Sequence, residues 1–287
     1  MSPTVSIIIP SLNQGEFLEE TITSLLCQSG INLELIVMDG GSTDRSVEII
    51  EKYSSKIAFW QSQPDGGQAA AINAGFERST GEVLGWLNSD DFLFPGALEH
   101  VASKIDSETN QMLAGNCFHF REGSPASWGS DIEKCFQTRD LRLSGFLLQP
   151  STFWTRSTWD TTGSLDDSLH YTFDWDWFIR ASTNTEIRTT PRYLSAYRYH
   201  ENHKTGTGGE ARCQEIRKIY KRHASPDVLL ALEEIERLGF GPEQTERLLA
   251  RLRLQNIRPV ILKALFPRIY SNLSLKEVSQ IRYQYRS

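Results

Sequence analysis

The apolar residues of the first hundred positions alternate between two spacings, one continuous and one helical. Val5–Pro10 (VSIIIP) is an unbroken apolar run rich in β-branched residues, the pattern of a strand buried on both faces. Glu16–Gln28 follows, with Phe17, Leu18, Ile22, Leu25 and Leu26 on one helical face. Leu33–Met38 (LELIVM) predicts a second strand, and Ser42–Tyr53 a second helix with Val47, Ile50 and Tyr53 inward. Ala58–Ser62 predicts a third strand, Pro64-Asp65-Gly66-Gly67 a turn, Gln68–Ser79 an Ala-rich helix and Val83–Leu87 a fourth strand. A further helix is expected to start near Pro95, where a missing N–H costs little. This alternation implies right-handed βαβ crossovers and an α/β fold with a mostly parallel central sheet.

The regularity weakens between Met112 and His200. Met112–Phe120, Ser151–Thr155 and Tyr193–Tyr199 read as apolar or β-like pieces, and Trp175–Ser182 as a helix. Arg121–Gly145 is polar and irregular, the composition of a mobile surface loop. Thr205-Gly206-Thr207-Gly208-Gly209 reads as a hinge, so the expected division is a sheet domain over 1–205 and a helical extension over 206–287. In that extension Pro226–Leu238 and Glu243–Leu254 have helical spacing, and Ser274-Leu275-Lys276-Glu277 fits a capping box ahead of Val278 and Ile281.

With 39% hydrophobic and 23% charged residues the chain of 287 is composed as a globular protein. A net charge of −6 argues against general affinity for nucleic acid. The tail differs: residues 240–287 carry nine Lys/Arg against three Asp/Glu. There Arg258, Lys263 and Arg268 interleave with Val260, Ile261, Leu262, Leu265 and Phe266. That composition suits either a membrane surface holding a lipid-linked acceptor or packing on protein, a second copy included. Cys27, Cys117, Cys135 and Cys213 form no C-x-x-C pair and read as free thiols of a reducing compartment. The N-terminus runs straight into a strand with no basic or long apolar leader. The expected location is the cytoplasm, peripheral at the inner face of the membrane if the tail meets lipid.

Ligands of an open parallel sheet bind beyond the carboxyl ends of its strands, and three polar clusters fall there. They are Pro10-Ser11-Leu12-Asn13, Asp39-Gly40-Gly41-Ser42-Thr43-Asp44 and Asn88-Ser89-Asp90-Asp91. Asp39 can accept hydrogen bonds from a base edge or a ribose, or can cap the next helix, a role Ser42 fills better. Asp90 and Asp91 repel one another, and a divalent cation that also holds a diphosphate is the usual remedy. The alternative is a solvated turn.

The segments VSIIIPSLNQGEFLEETITSLLCQ, MDGGSTD, PDGGQAAAINAGF and GEVLGWLNSDD, in this order, resemble the inverting family-2 glycosyltransferases of GT-A fold. QPSTFW, GSLDDSLHYTFDWDWFIR and YRYH are similar to the acceptor half of that family, so the resemblance spans about residues 3–204. It implies a nucleotide-sugar donor of UDP or dTDP type, a glycan or lipid-linked acceptor, and Mn²⁺ or Mg²⁺. Carried over by position, Pro10, Asn13 and Asp39 would contact the nucleoside, with Gln68 and Asn73 near base and ribose. Asn88, Ser89 and Asp90 occupy the metal-binding acidic motif, whose first position is more often Asp. Asp90 would ligate the cation with Asp91 close by, and His200 would complete the metal or diphosphate site. Asp174 matches the catalytic base, although Phe173 stands where the family usually has Glu. Asp176 reads as a carboxylate serving the helix N-terminus, and Trp175 or Trp177 as a platform for a sugar face or as core.

The implied reaction is an in-line displacement in which Asp174 takes the acceptor proton and Asp90, His200, and Lys204 or Arg198 face the phosphates. Two rival functions remain. A sugar nucleotidyltransferase would want a basic, Gly-rich loop after the first strand, and Ser11-Leu12-Asn13-Gln14-Gly15 carries no Lys or Arg. A nucleotide-sugar-binding protein without catalysis would not need both Asp90 and Asp174.

Overall fold

The computed structural model describes residues 3–201, 204, 208–239, 241–252, 254 and 256–286. The expected hinge falls partly outside them, since only Gly208 and Gly209 of it are described. The chain forms two compact units, one of Met1–Gln137 with Leu147–Gly208 and one of Thr138–Phe146 with Gly209–Ser287.

The first unit is built on one sheet. Strands β1 (Thr4–Ser11), β2 (Asn32–Asp39), β3 (Phe59–Ser62) and β4 (Val83–Trp86) lie parallel in the order β3-β2-β1-β4. β5 (Phe92–Leu93), β6 (Gln111–Arg121), β7 (Ser127–Gly129), β8 (Thr152–Thr155) and β9 (Glu186–Tyr199) extend it. β8 joins β4 and β6 antiparallel, whereas β6 and β9 run parallel. The sheet is therefore mixed, and its parallel run coincides with the continuous apolar segments read from the sequence.

Helices cover both faces, as a strand without polar alternation requires. Val5, Ile7 and Ile9 of β1 share a buried cluster with Leu18, Ile22 and Leu25 of α1 (Leu18–Leu26) and Ile49 and Ile50 of α2 (Ser46–Tyr53). On the other face α3 (Gln68–Arg78) reaches Ile8 through Gly75. A Cβ there would stand 2.5 Å from Ile8 Cγ2, so the helix tolerates a glycine to come close. Trp86, Trp154 and Phe76 pack with Trp177 and Phe178 of α7 (Phe173–Ala181) into an aromatic layer. α4 (Ala97–Lys104) follows Pro95, α5 is Ile132–Thr138 and α6 is Arg156–Thr162.

The segment read as an irregular loop, Arg121–Gly145, holds β7 and α5 instead. β7 is short and exposed, so it leaves no hydrophobic signature; pairing with β6 makes it a strand. The strand read as Tyr193–Tyr199 begins earlier, at Glu186.

The second unit joins residues 138–146 to the helices Gly209–His223, Pro226–Leu238, Gly241–Arg251, Arg258–Leu265, Pro267–Tyr270 and Leu275–Arg286. Tyr220 Oη donates to the Leu143 carbonyl at 2.9 Å, and the Gln280 and Gln284 amides accept the N–H groups of Asp140 and Gly145. The capping box forms in both directions: Ser274 N–H donates to Glu277 Oε2 at 2.7 Å, and Glu277 N–H to Ser274 Oγ at 3.2 Å. Among the described residues no helix is long and apolar enough to cross a membrane.

Candidate active site

β1 and β2 end side by side, with Ser11 opposite Asp39. Asp39 is buried, and its carboxylate organises the loop that follows it. Oδ2 accepts the N–H groups of Gly41 and Ser42 at 3.1 and 2.8 Å and the Ser62 hydroxyl at 2.6 Å, while Oδ1 accepts the Ser42 hydroxyl. Gly41 has φ 86°, and a Cβ there would lie 3.1 Å from the Pro64 nitrogen, so the turn requires glycine. Ser42 is not the helix cap expected of it. Its hydroxyl also accepts the Asn13 N–H at 2.7 Å, and Asp44 serves the start of α2 by accepting the Ser46 N–H at 2.9 Å. Asn13 is left-handed at φ 53°, a conformation its short amide tolerates, and its Oδ1 accepts the Thr43 N–H. Asn13 and Asp39 thus meet in one loop cluster, with Pro10 buried in β1 beneath it.

β4 lies on the other side of β1 and leads into the acidic turn, where the Asp91 N–H closes on the Asn88 carbonyl at 3.1 Å. Thr21 of α1 holds this turn, its hydroxyl 3.0 and 2.7 Å from the carbonyls of buried Ser89 and of Asp91. Thr21 was not singled out from the sequence, yet a threonine within the apolar face of a helix was the available signal. Asp90 Oδ2 lies 3.0 Å from Nε2 of His200, which follows β9 and packs against the Phe17 ring at 4.7 Å.

Asp91 is more deeply enclosed than Asp90. It is 1% exposed, Oδ1 accepts the Arg198 N–H at 3.1 Å, and Oδ2 is buried without a partner. Burial, then the neighbouring Asp90 charge, pushes its pKa well above the usual carboxylate value. One Asp91 oxygen is thus held by the Arg198 N–H within the protein, whereas Asp90 is the carboxylate in contact with His200. Arg198, one of two candidates for a phosphate, is enclosed in the same way. It is 3% exposed, lies over the Phe17 and Phe120 rings at 4.8 and 4.9 Å, and pairs with Glu20 and Glu122.

Gln68, first residue of α3, donates from Nε2 to Asn88 Oδ1 at 2.8 Å and accepts Lys204 Nζ at 2.8 Å. The same ammonium stands 5.2 Å over the Phe173 ring. Lys204 therefore bridges the turn after β4 to the start of α7, where half-buried Asp174 accepts the Trp175 N–H at 2.7 Å. Asp176 is buried and paired with Arg180 at 2.9 Å, which also donates to the carbonyls of Thr162 and Ser164.

Asn73, expected near base and ribose, spends its amide on the main chain of Leu165, donating at 3.0 Å and accepting at 2.9 Å, and so shapes the loop there. Trp175 and Trp177 are 3% and 0% exposed, so both are core and neither offers a face to a sugar.

Among the described residues no group of three or more His, Cys, Asp or Glu gathers into a closed metal site. Asp90 and His200 supply one carboxylate oxygen and one imidazole nitrogen in contact. This open pair suits a small divalent cation whose remaining positions go to phosphate oxygens and water.

Residues 6–159 match the sequence profile of Glycosyl transferase family 2. The chain belongs to that family. A glycosyltransferase of Rickettsia typhi described as uncharacterized is 28% identical over 219 residues, 72% of this chain and 67% of its own. The chondroitin synthase of Pasteurella multocida is 27% identical over 63% of this chain and 19% of its own. Among solved structures, S. aureus TarS 1-349 in complex with UDP-GlcNAc superposes with a TM-score of 0.63 at 18% identity, covering 99% of this chain and 91% of that one. A Pyrobaculum calidifontis mannosyltransferase in complex with GDP-Man and Mn²⁺ gives 0.58 at 14%, covering 99% and 79%. The protein is a glycosyltransferase of GT-A fold with helices at its C-terminal end, the class expected from its motifs.

Proposed function

We propose that this enzyme moves a sugar from a UDP- or dTDP-type nucleotide sugar to a hydroxyl of a glycan or lipid-linked acceptor, inverting the anomeric centre. The first unit carries the reaction, and the helical unit is an accessory to it. The observation that carries this reading is the contact of Asp90 with His200, linked by the Asn88–Gln68–Lys204 chain to the helix that presents Asp174. The solved relatives bound to UDP-GlcNAc and to GDP-Man with Mn²⁺ support it.

Asn13 and Asp39 hold the nucleoside, Gln68 and Asn88 the ribose side, and Lys204 a phosphate. Asp90 and His200 would hold Mn²⁺ or Mg²⁺, which supplies positive charge against the diphosphate. Asp174 accepts the acceptor's proton as the acceptor oxygen bonds to the anomeric carbon and the bond to the diphosphate oxygen breaks on the opposite face. Such proton transfer contributes about 10²–10⁴-fold. Asp174→Asn is expected to bind donor as the wild type does, by calorimetry, while turnover falls by at least about 100-fold. Near-full turnover in that variant removes Asp174 as base.

The second unit supports a peripheral contact. Leu248, Leu252, Val260 and Leu265 are each more than half exposed, and exposed Arg251, Lys263 and Arg268 alternate with them along the sequence. An anionic membrane surface bearing the acceptor satisfies both the apolar and the basic residues. Flotation with phosphatidylglycerol vesicles tests it. A protein that stays unbound but sediments as a dimer assigns the surface to a second copy.

A further inference from the structure

Trp128 on β7 is 50% exposed, although an indole ring in a three-residue strand would be expected to find cover. It is also not loosely held. β7 pairs with β6 so that Trp128 lies opposite His119, and β6 pairs with β9 so that His119 lies opposite Tyr197. Residues directly opposite share a face, and Tyr199, two positions on, shares it too. The rings stack in agreement with that register. Trp128 is parallel to His119 within 4° at 5.3 Å, and Tyr199 lies 5.2 Å from Trp128 and 5.0 Å from Tyr197.

One indole face is therefore backed by rings from two strands while the side chain remains half open. His119 itself is 7% exposed, and burial pushes its pKa below the ordinary imidazole value, so the backing ring is neutral at pH 7. An uncharged, rigidly mounted aromatic surface selects for ligands with polarised C–H bonds facing its electron-rich π cloud, as the pyranose ring has.

Its position matters as much. Ser195, two residues before Tyr197, lies on the same face and bonds Ser151 there at 2.5 Å, so the ladder faces the Gln149–Ser151 segment. At its other end Tyr199 directly precedes His200, the partner of Asp90.

We propose that Trp128, mounted on His119 and Tyr199, is a sugar-binding subsite that stacks a pyranose ring of the acceptor on the ladder whose strand β9 leads to His200. The inference rests on the transfer reading above for the word acceptor, and on the ladder alone for sugar binding. It goes beyond that reading by making the acceptor a glycan, engaged through the apolar face of one of its rings.

The test uses full-length protein labelled with ¹⁵N-tryptophan, the Trp128 indole resonance being assigned by its loss in Trp128→Phe. Methyl glucosides, methyl N-acetylglucosaminides, maltose, cellobiose and diacetylchitobiose are titrated in turn. At least one is expected to shift the Trp128 resonance in a saturable way. By calorimetry Trp128→Ala is expected to weaken that sugar roughly tenfold, and Trp128→Tyr to keep most of the affinity. A Trp128 resonance unmoved by every sugar overturns the subsite, as does undiminished affinity in a folded Trp128→Ala. Nucleotide-sugar cleavage by the wild type in the same preparation is read separately. Its absence beside a shifted Trp128 counts against the transfer reading, and its presence beside an unmoved Trp128 counts against the subsite.

Discussion

His200 Nε2 lies 3.0 Å from Asp90 Oδ2, joining the end of β9 to the acidic turn after β4 across 110 positions of sequence. Neither residue alone would hold a cation firmly; together, on the proposed reading, they would offer one an open site next to the Gln68–Asn88 pair. Asp90→Asn and His200→Ala are each expected to weaken Mn²⁺-dependent donor binding by at least roughly 10-fold, since losing even a group that only supports a metal ligand costs roughly 10–100-fold. Asp91→Asn, which can keep the bond from the Arg198 N–H, is expected to change it by less than about threefold. Calorimetry on the three variants decides this, and equal losses at Asp90 and Asp91 would place both carboxylates at the cation.

Asn73 joins α3 to the loop at Leu165 by two hydrogen bonds. Asn73→Ala leaves both main-chain groups of Leu165 without that partner and is expected to cost about 1–3 kcal/mol. Thermal denaturation should show Tm lower by roughly 3–8 °C. An unchanged Tm with weaker donor binding would instead place Asn73 at the nucleoside.

Glu34 on β2 should make the first unit sensitive to acid. Burial raises its pKa, but the Ser6 hydroxyl and the N–H and hydroxyl of Thr80 outweigh it, leaving the pKa below the ordinary 4.5. A depressed folded-state pKa gives stability that is present above the unfolded value and lost as pH falls through the folded one. Wild type should therefore exceed Glu34→Gln in Tm at pH 7, with the gap closing below about pH 4.5. A gap that is constant from pH 7 to pH 3 would contradict it.

The cysteines should differ in reactivity. Burial pushes the Cys117 thiol up to about 12, whereas Cys27 is exposed. Alkylation with iodoacetamide at pH 8, followed by mass spectrometry, should label Cys27 first and Cys117 last. Early labelling of Cys117 in folded protein would mean that β6 opens.

What could be read from the sequence follows from which forces act locally. β1, β2 and β4 were legible because a strand covered on both faces needs an unbroken apolar run, and the capping box because both its bonds lie within four residues. β7 and the start of β9 were not, since exposed or irregular strands take their identity from a partner strand rather than from their own pattern. The same limit applied to the site. Asp39 and Asp90 stand out as acids ending apolar strands. Where Asn73 and Trp175 point could not be read in the same way, because packing alone turns the one toward Leu165 and the other into the core.

A crystal structure of the wild-type protein with Mn²⁺ and UDP tests the central claim most directly. The account predicts an anomalous Mn²⁺ peak between Asp90, His200 and the diphosphate, with uracil in the loop of Asn13 and Asp39 and open solvent in front of Asp174. A nucleotide seated elsewhere, or a diphosphate with neither Asp90 nor His200 beside it, would contradict it.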